Sequence, residues 1–228
     1  MEWVETSEFV STAAATIACA VSEAVAARGE CVLGLCGGKT PEPVYAALAS
    51  ADLPADRILF TFGDERCVGP DDPQSNHRMA RLAWFDPAGI PAERVLRMRG
   101  EWDPQAAAAD YAGQLQVVAN RLGHPDGRIV HDVLLLGIGG DGHTASLFPG
   151  TAALAETARD VAANYLPAND AWRLTLTYPA LNRARHVLFL VNDSSKRAVL
   201  DAVRAADPQF PASKVRPVSG LLTWLVGV

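Results

Sequence analysis

The chain has 228 residues, 49% of them hydrophobic and 20% charged, a balance that suits one sizeable globular domain with a real core. Its formal net charge of −6 argues against a general nucleic-acid binder, which would present a basic face. No apolar run approaches the roughly 18 residues of a membrane span, and an N-terminus with Glu2, Glu5 and Glu8 but no basic stretch is no signal peptide, so a cytoplasmic protein is expected.

In chain order, alanine-rich Ser7–Arg28 places Phe9, Ile17, Val21 and Val25 at helical spacing, with Gly29 as the stop. Cys31–Cys36 reads as a short strand. Thr40–Ser50 reads as a helix, with Thr40 suited to the N-cap and Pro41 to the first helical position. Ile58–Phe62 is a second strand, ended by Gly63-Asp64, and helical patterns return at Asn76–Trp84 and Pro104–Leu122. Val133–Leu136 is the central strand, Arg173–Thr177 and Val187–Val191 are two more, and Ser194–Ala206 is a helix before a proline-containing tail. Strands alternating with helices predict one α/β domain over residues 1–228, a mainly parallel sheet with helices on both faces. Cys19, Cys31, Cys36 and Cys67 form no CxxC pair and have no histidines at metal spacing, so reduced, mostly buried thiols and no metal are expected.

The most informative stretch is Asp132–Phe148, in which a buried apolar run ends in Gly137-Ile138-Gly139-Gly140-Asp141-Gly142-His143. A carboxylate and an imidazole at the carboxyl end of a parallel strand stand where open α/β sheets keep their sites. The segment formally spells G-x-G-x-x-G, but a dinucleotide site also needs an acidic residue at the end of the next strand. Glu156 and Asp160 lie at that offset inside TAALAETARDVAA, which reads as helix or loop. With His143 in the first turn of a helix, the dipole would keep its ring neutral, a competent general base. Asp141 has two readings: N-cap of that helix, or partner of the other ring nitrogen that fixes the tautomer.

Three further constellations carry charge. Gly34-Leu35-Cys36-Gly37-Gly38-Lys39-Thr40-Pro41 resembles a P-loop but fails its count, since Leu33 occupies the first required glycine position; a phosphate cradle at a strand–helix turn survives. Phe62-Gly63-Asp64-Glu65-Arg66, followed by Ser75-Asn76-His77, sets three adjacent charges at a strand end, with Arg66 offering a planar donor fork. Arg173 and Lys196 fall at sheet edges near helix starts. Only Lys39, Lys196 and Lys214 are lysine; the other 17 basic residues are arginine. His77, His124, His131 and His186 read as solvated or satisfied, and Ser146 lacks a nucleophile elbow.

Together GGKTP, FGDER with SNHRMA, DVLLLGIGGDGHTASLFPG, RLTLTYPALNRARHVLFLV with SSKR, and PASKVRP resemble the 6-phosphogluconolactonase family, in order, over residues 31 to about 217. The resemblance implies hydrolysis of 6-phospho-D-glucono-1,5-lactone on a modified Rossmann-like α/β fold shared with glucosamine-6-phosphate deaminases, without cofactor or metal. It makes His143 the base that activates water, with Asp141 beside it, and Arg66 the stabiliser of the oxyanion. Gly37, Gly38, Lys39 and Thr40 would hold the phosphate, helped by Arg173 and Lys196, while Asp64 and Asn76 shape the sugar site. The expected partner is this small substrate alone, with no nucleic acid or membrane, on a monomer or weak homodimer. The ending Trp224-Leu225-Val226-Gly227-Val228 departs from the family's usual Asp-Ala-like pair and puts packing there in question. Two rivals are an isomerase–deaminase, which needs a glutamate where Phe148 stands, and a non-catalytic sugar-phosphate sensor, which would have no need of His143.

Overall fold

Residues 1–228 are described by a computed structural model. Nine strands form: β1 (Glu2–Thr6), β2 (Cys31–Leu35), β3 (Ile58–Phe62), β4 (Asp64–Arg66), β5 (Val133–Leu136), β6 (Val161–Leu166), β7 (Ala171–Leu176), β8 (His186–Val191) and β9 (Leu221–Gly227). Six of them make a parallel sheet in the order β1-β9-β8-β5-β2-β3. Every residue of β2, β3 and β5 is buried, as expected of apolar runs covered on both faces of a parallel sheet. The helices are α1 (Phe9–Arg28), α2 (Glu42–Ala49), α3 (Asn76–Ala80), α4 (Asp86–Ala88), α5 (Pro104–Arg121), α6 (Tyr178–Leu181) and α7 (Arg197–Arg204). The chain moves from β2 outward to β3, then returns to the other side of β2 as β5. That reversal opens a crevice at the carboxyl ends of β2 and β5.

A second, antiparallel sheet in the order β4-β7-β6 overhangs this crevice. It is tied to the main sheet at Gly63, whose N–H donates to Leu35 O at 2.9 Å and whose carbonyl accepts from Leu176 N at 2.8 Å. The strand expected at Arg173–Thr177 therefore exists, as Ala171–Leu176, but in this small sheet and not the parallel one. The segment read as helix or loop around Glu156 holds a single turn at Ala152–Ala155, and then β6 begins just after Asp160. Because β6 pairs only with β7, Asp160 does not end a strand beside β5, and the dinucleotide reading gains nothing.

Other expectations change in detail. Thr40 caps no helix: α2 begins at Glu42, and Pro41 O accepts from Tyr45 N at 2.8 Å. Lys196 closes a 3-10 turn, Ser194–Lys196, before α7 starts. Contrary to the expectation that no apolar run approaches a membrane span, the 20 residues of helix α1 are long and apolar enough to cross a membrane. Alanine accounts for much of that apolarity, and Phe9, Ala13, Ile17, Val21 and Ala24 form its buried stripe.

The terminal segments, not foreseen as strands, complete the sheet. β9 lies between β8 and β1, and Trp224 is stacked between Trp3 (5.1 Å) and Phe189 (3.8 Å). Arg204 covers the outer face of Trp3 at 4.5 Å. Trp224–Val226 of the divergent C-terminus are thus core, while Val228 is exposed, and the packing question raised by the sequence is answered there.

His131, expected to be solvated or satisfied, is wholly buried. Thr61 Oγ1 donates to Leu33 O, so it accepts from His131 Nε2 at 3.1 Å, which leaves the buried Nδ1 without a partner. Burial holds this imidazole down to about 4. The unfolded chain therefore binds this proton first. The stability is whole above pH 6.5 and is lost as pH falls toward 4, on the order of 3 kcal/mol in all. Denaturant titrations at pH 7.5 and 4.5 should show a smaller pH difference for His131→Gln than for wild type; equal differences would remove His131 as a source of acid sensitivity.

Candidate active site

Two buried tyrosines close the strand ends that carry the site. Tyr45 Oη accepts from Cys36 N (3.0 Å) and donates to Cys36 O (2.9 Å) at the end of β2. Tyr111 Oη does the same to Phe62 at the end of β3, at 2.8 and 3.1 Å. Strand pairing stops at these residues, and the tyrosines satisfy backbone groups that would otherwise be buried and unpaired. Gly37 follows at once, packed so tightly on Asn76 that a Cβ would stand 1.8 Å from Asn76 Oδ1. Only glycine allows that approach. Cys36 faces the same cavity, but burial pushes its thiol up to about 12, which disqualifies it as a nucleophile.

The Asp64-Glu65-Arg66 triplet divides its labour. Glu65 is buried and accepts from Arg66 N, Asn76 N and His77 N at 2.7–2.8 Å and from Ser75 Oγ at 3.0 Å. Burial pushes its pKa up while these donors pull against it. It fastens the start of α3 to β4, which delivers Asn76 to Asp64. Asn76 Nδ2 donates to Asp64 O (2.9 Å) and Oδ1 (3.1 Å), and Ser146 Oγ donates to Asp64 Oδ2 at 2.6 Å.

Arg66 and Arg173 face each other across β4 and β7. Like charges opposed in a sheet repel, and burial, then the charge of Arg66, depress the Arg173 pKa. Arg66 reaches only the carbonyl of Gln74 (2.7 Å), and its Nε is buried without a partner. Arg173 reaches only the carbonyl of Trp172, at 3.1 Å.

The helix expected after β5 does not form. Residues 137–150 run as turns, because the glycines and Pro149-Gly150 cannot sustain one, and no helix dipole acts on His143. This decides between the two readings of Asp141. Its Oδ1 accepts from His143 N at 3.1 Å and lies 2.6 Å from His143 Nδ1. An ionised carboxylate only accepts, so Nδ1 carries a proton, and the tautomer this selects for the neutral ring is the one with its lone pair on Nε2. Burial opposes ionisation of Asp141, but the His143 backbone and ring donors prevail and hold its pKa below the ordinary range. The turn is tight on every side: a Cβ on Gly139 would meet His143 Nδ1 at 2.1 Å, and one on Gly142 would meet Phe210 at 2.3 Å.

These parts enclose a cavity of about 410 Å³, a size typical of small-molecule sites. Ten of the eleven expected site residues line it: Gly37, Gly38, Lys39, Thr40, Asp64, Arg66, Asn76, His143, Arg173 and Lys196. Asp141 stands behind His143. Thirteen arginines lie within 4 Å of a carboxylate, whereas Lys39, Arg66, Arg173 and Lys196 do not. Lys196 donates to the carbonyl of Ile138, bridging β8 and β5. Four cations without an ion pair, against the carboxylates of Asp64 and Asp193 in the same lining, leave a positive balance that favours an anion in an otherwise acidic protein. No site role was expected of Glu65, Ser146 or Phe148. The S and F of HTASLF were visible but carried no signal by spacing.

Residues 5–224 match the family described as glucosamine-6-phosphate isomerases/6-phosphogluconolactonase. The chain is 43% identical over 211 residues to a 6-phosphogluconolactonase of Synechocystis, covering 90% of this chain and 85% of that protein. To the human 6-phosphogluconolactonase it is 35% identical over 208 residues, 88% and 79% of the two chains. The crystal structure of a 6-phosphogluconolactonase from Thermotoga maritima superposes with a TM-score of 0.87 at 28% identity, covering 100% of both chains.

Proposed function

Because the chain belongs to the glucosamine-6-phosphate isomerase/6-phosphogluconolactonase family, we propose that it hydrolyses 6-phospho-D-glucono-1,5-lactone with His143 as general base and no cofactor. The observation that carries this reading is the convergence of four cations that form no ion pair on the Asp141–His143 pair in one cavity.

His143 Nε2 takes a proton from a water molecule as its oxygen attacks C1 of the lactone. Negative charge develops on the former carbonyl oxygen, where the Arg66 guanidinium, which lines the cavity and forms no ion pair, is the donor at hand. Collapse re-forms the C=O bond and breaks the bond from C1 to the ring oxygen, which takes the proton back from His143. The new carboxylic acid ionises and releases one proton to solvent. Lys39, Lys196 and Arg173 hold the phosphate, with the Gly37-Gly38 backbone against it. Asp64 presents its carboxylate to sugar hydroxyls.

Ring opening and isomerisation call for a second proton-moving side chain beside the base. Phe148 occupies that place, and the cavity's two carboxylates, Asp64 and Asp193, are engaged by Ser146 with Asn76 and by Ser195. Proton release from freshly generated lactone, measured against the spontaneous rate, tests the proposal. Acceleration by wild type and none by His143→Ala supports activity and base together. Acceleration by both moves the base elsewhere, and acceleration by neither leaves a sugar-phosphate binder.

A further inference from the structure

We propose that Phe148 is a positioning residue for this hydrolysis: its ring, stacked on His143, holds the imidazole so that Nε2 faces the lactone. The inference rests on the reading of His143 as the base. The two rings lie 3.9 Å apart and 21° from parallel, closer than the ~4.5–7 Å of ordinary aromatic contacts. Asp141 alone cannot fix the ring, because one hydrogen bond to Nδ1 leaves it free to swing about that bond. The carboxylate is itself half exposed. The backbone at Gly139 bounds one part of the ring, at Nδ1 and Cε1, and Phe148 covers a face.

The chain is bent to achieve this. Thr144–Leu147 is a tight turn, closed by Leu147 N donating to Thr144 O at 2.9 Å, and its second residue, Ala145, sits at φ +47°. A residue with a Cβ adopts that left-handed conformation only when its surroundings enforce it. Ser146 supplies the enforcement. Its N–H donates to Thr175 Oγ1 (3.1 Å), its hydroxyl to Asp64, and its carbonyl accepts from Asn164 Nδ2 (2.8 Å). Leu147 is sunk in the core. The outcome of this reversal is that Phe148, five residues beyond His143, returns over its ring.

Packing does not require the ring there. Of the seven phenylalanines, Phe9, Phe60, Phe62, Phe85 and Phe189 belong to the hydrophobic core and Phe210 packs against it; Phe148 does neither and lines the cavity instead.

The test compares kcat and KM on the lactone for wild type, Phe148→Leu and Phe148→Tyr, beside His143→Ala, with Tm measured for each. Loss of the stack is expected to lower kcat on the order of tenfold to a hundredfold for Phe148→Leu, with KM within about twofold. Tm should not change, and Phe148→Tyr should recover most of the rate. Should Phe148→Leu fail to fold, Phe148→Met poses the same comparison against tyrosine. Wild-type kcat in the aliphatic variant, or a tyrosine variant no faster than it, overturns the proposal. An inactive His143→Ala beside a fully active Phe148→Leu sinks this inference alone; an active His143→Ala sinks the base reading and this inference with it.

Discussion

His143→Ala is expected to lower kcat for lactone hydrolysis by about a hundredfold to ten-thousandfold, with KM close to wild type. The variant removes the only group at the cavity that is set up to take a proton from water. The ring is partly exposed and belongs to no core cluster, so Tm should hold. Asp141 variants separate geometry from charge. Oδ1 of Asp141 accepts both the backbone N–H and the ring Nδ1–H of His143, and an amide oxygen can accept both as well. Asp141→Asn should therefore keep the tautomer and lose only the charge that stabilises the imidazolium formed during attack, a loss of about tenfold in kcat. Asp141→Ala removes both the charge and the acceptor that selects the tautomer, and should lose more. An alanine variant as active as wild type would reduce Asp141 to a turn residue.

How far the sequence carried this picture follows from what kind of signal each part emits. Strands β2, β3, β5 and β8 were legible because unbroken apolar runs bounded by glycine have few other uses. The cavity residues were legible because glycine, lysine and arginine at strand ends are conspicuous one by one. What failed is whatever depends on distant partners. Ser146 matters through Asp64, 82 positions away, and no spacing rule reaches so far. β4 is three residues long and β6 exposes Tyr165, so neither period nor apolarity marks them; β7 was legible as a strand, but nothing in its own residues places it in a separate sheet. The helix predicted at Asp141 followed from placing a turn after a parallel strand, where a helix is the usual sequel. Four glycines within six residues outweigh that habit. Without that helix no dipole acts on His143, and the Asp141 hydrogen bond selects its tautomer instead.

The second large effect concerns Arg66 and Arg173. Arg173→Ala is expected to raise KM for the lactone by about tenfold to a hundredfold while leaving the ligand-free protein as stable as wild type, or more so. Stability should not suffer because the replaced guanidinium faces another across β4 and β7, has no carboxylate within reach, and has its charge disfavoured by burial and by Arg66. Affinity should suffer because a charge-assisted contact to phosphate contributes about 1.5–3 kcal/mol. The two halves meet in one measurement, Tm with and without 6-phosphogluconate. At a ligand concentration of about 100 Kd, wild type should gain roughly 2.7 kcal/mol, which for a chain of this size is a rise of about 5–10 °C. The same concentration is only about one to ten times the Kd of Arg173→Ala, so that variant should gain roughly 0.4–1.4 kcal/mol and a smaller rise in Tm. Arg66→Ala should instead lower kcat more than it raises KM, since its role falls on the oxyanion. Equal ligand-induced shifts in wild type and Arg173→Ala would take Arg173 out of the phosphate site. A ligand-free Tm several degrees below wild type would show that the pair is held together by something other than the anion it awaits.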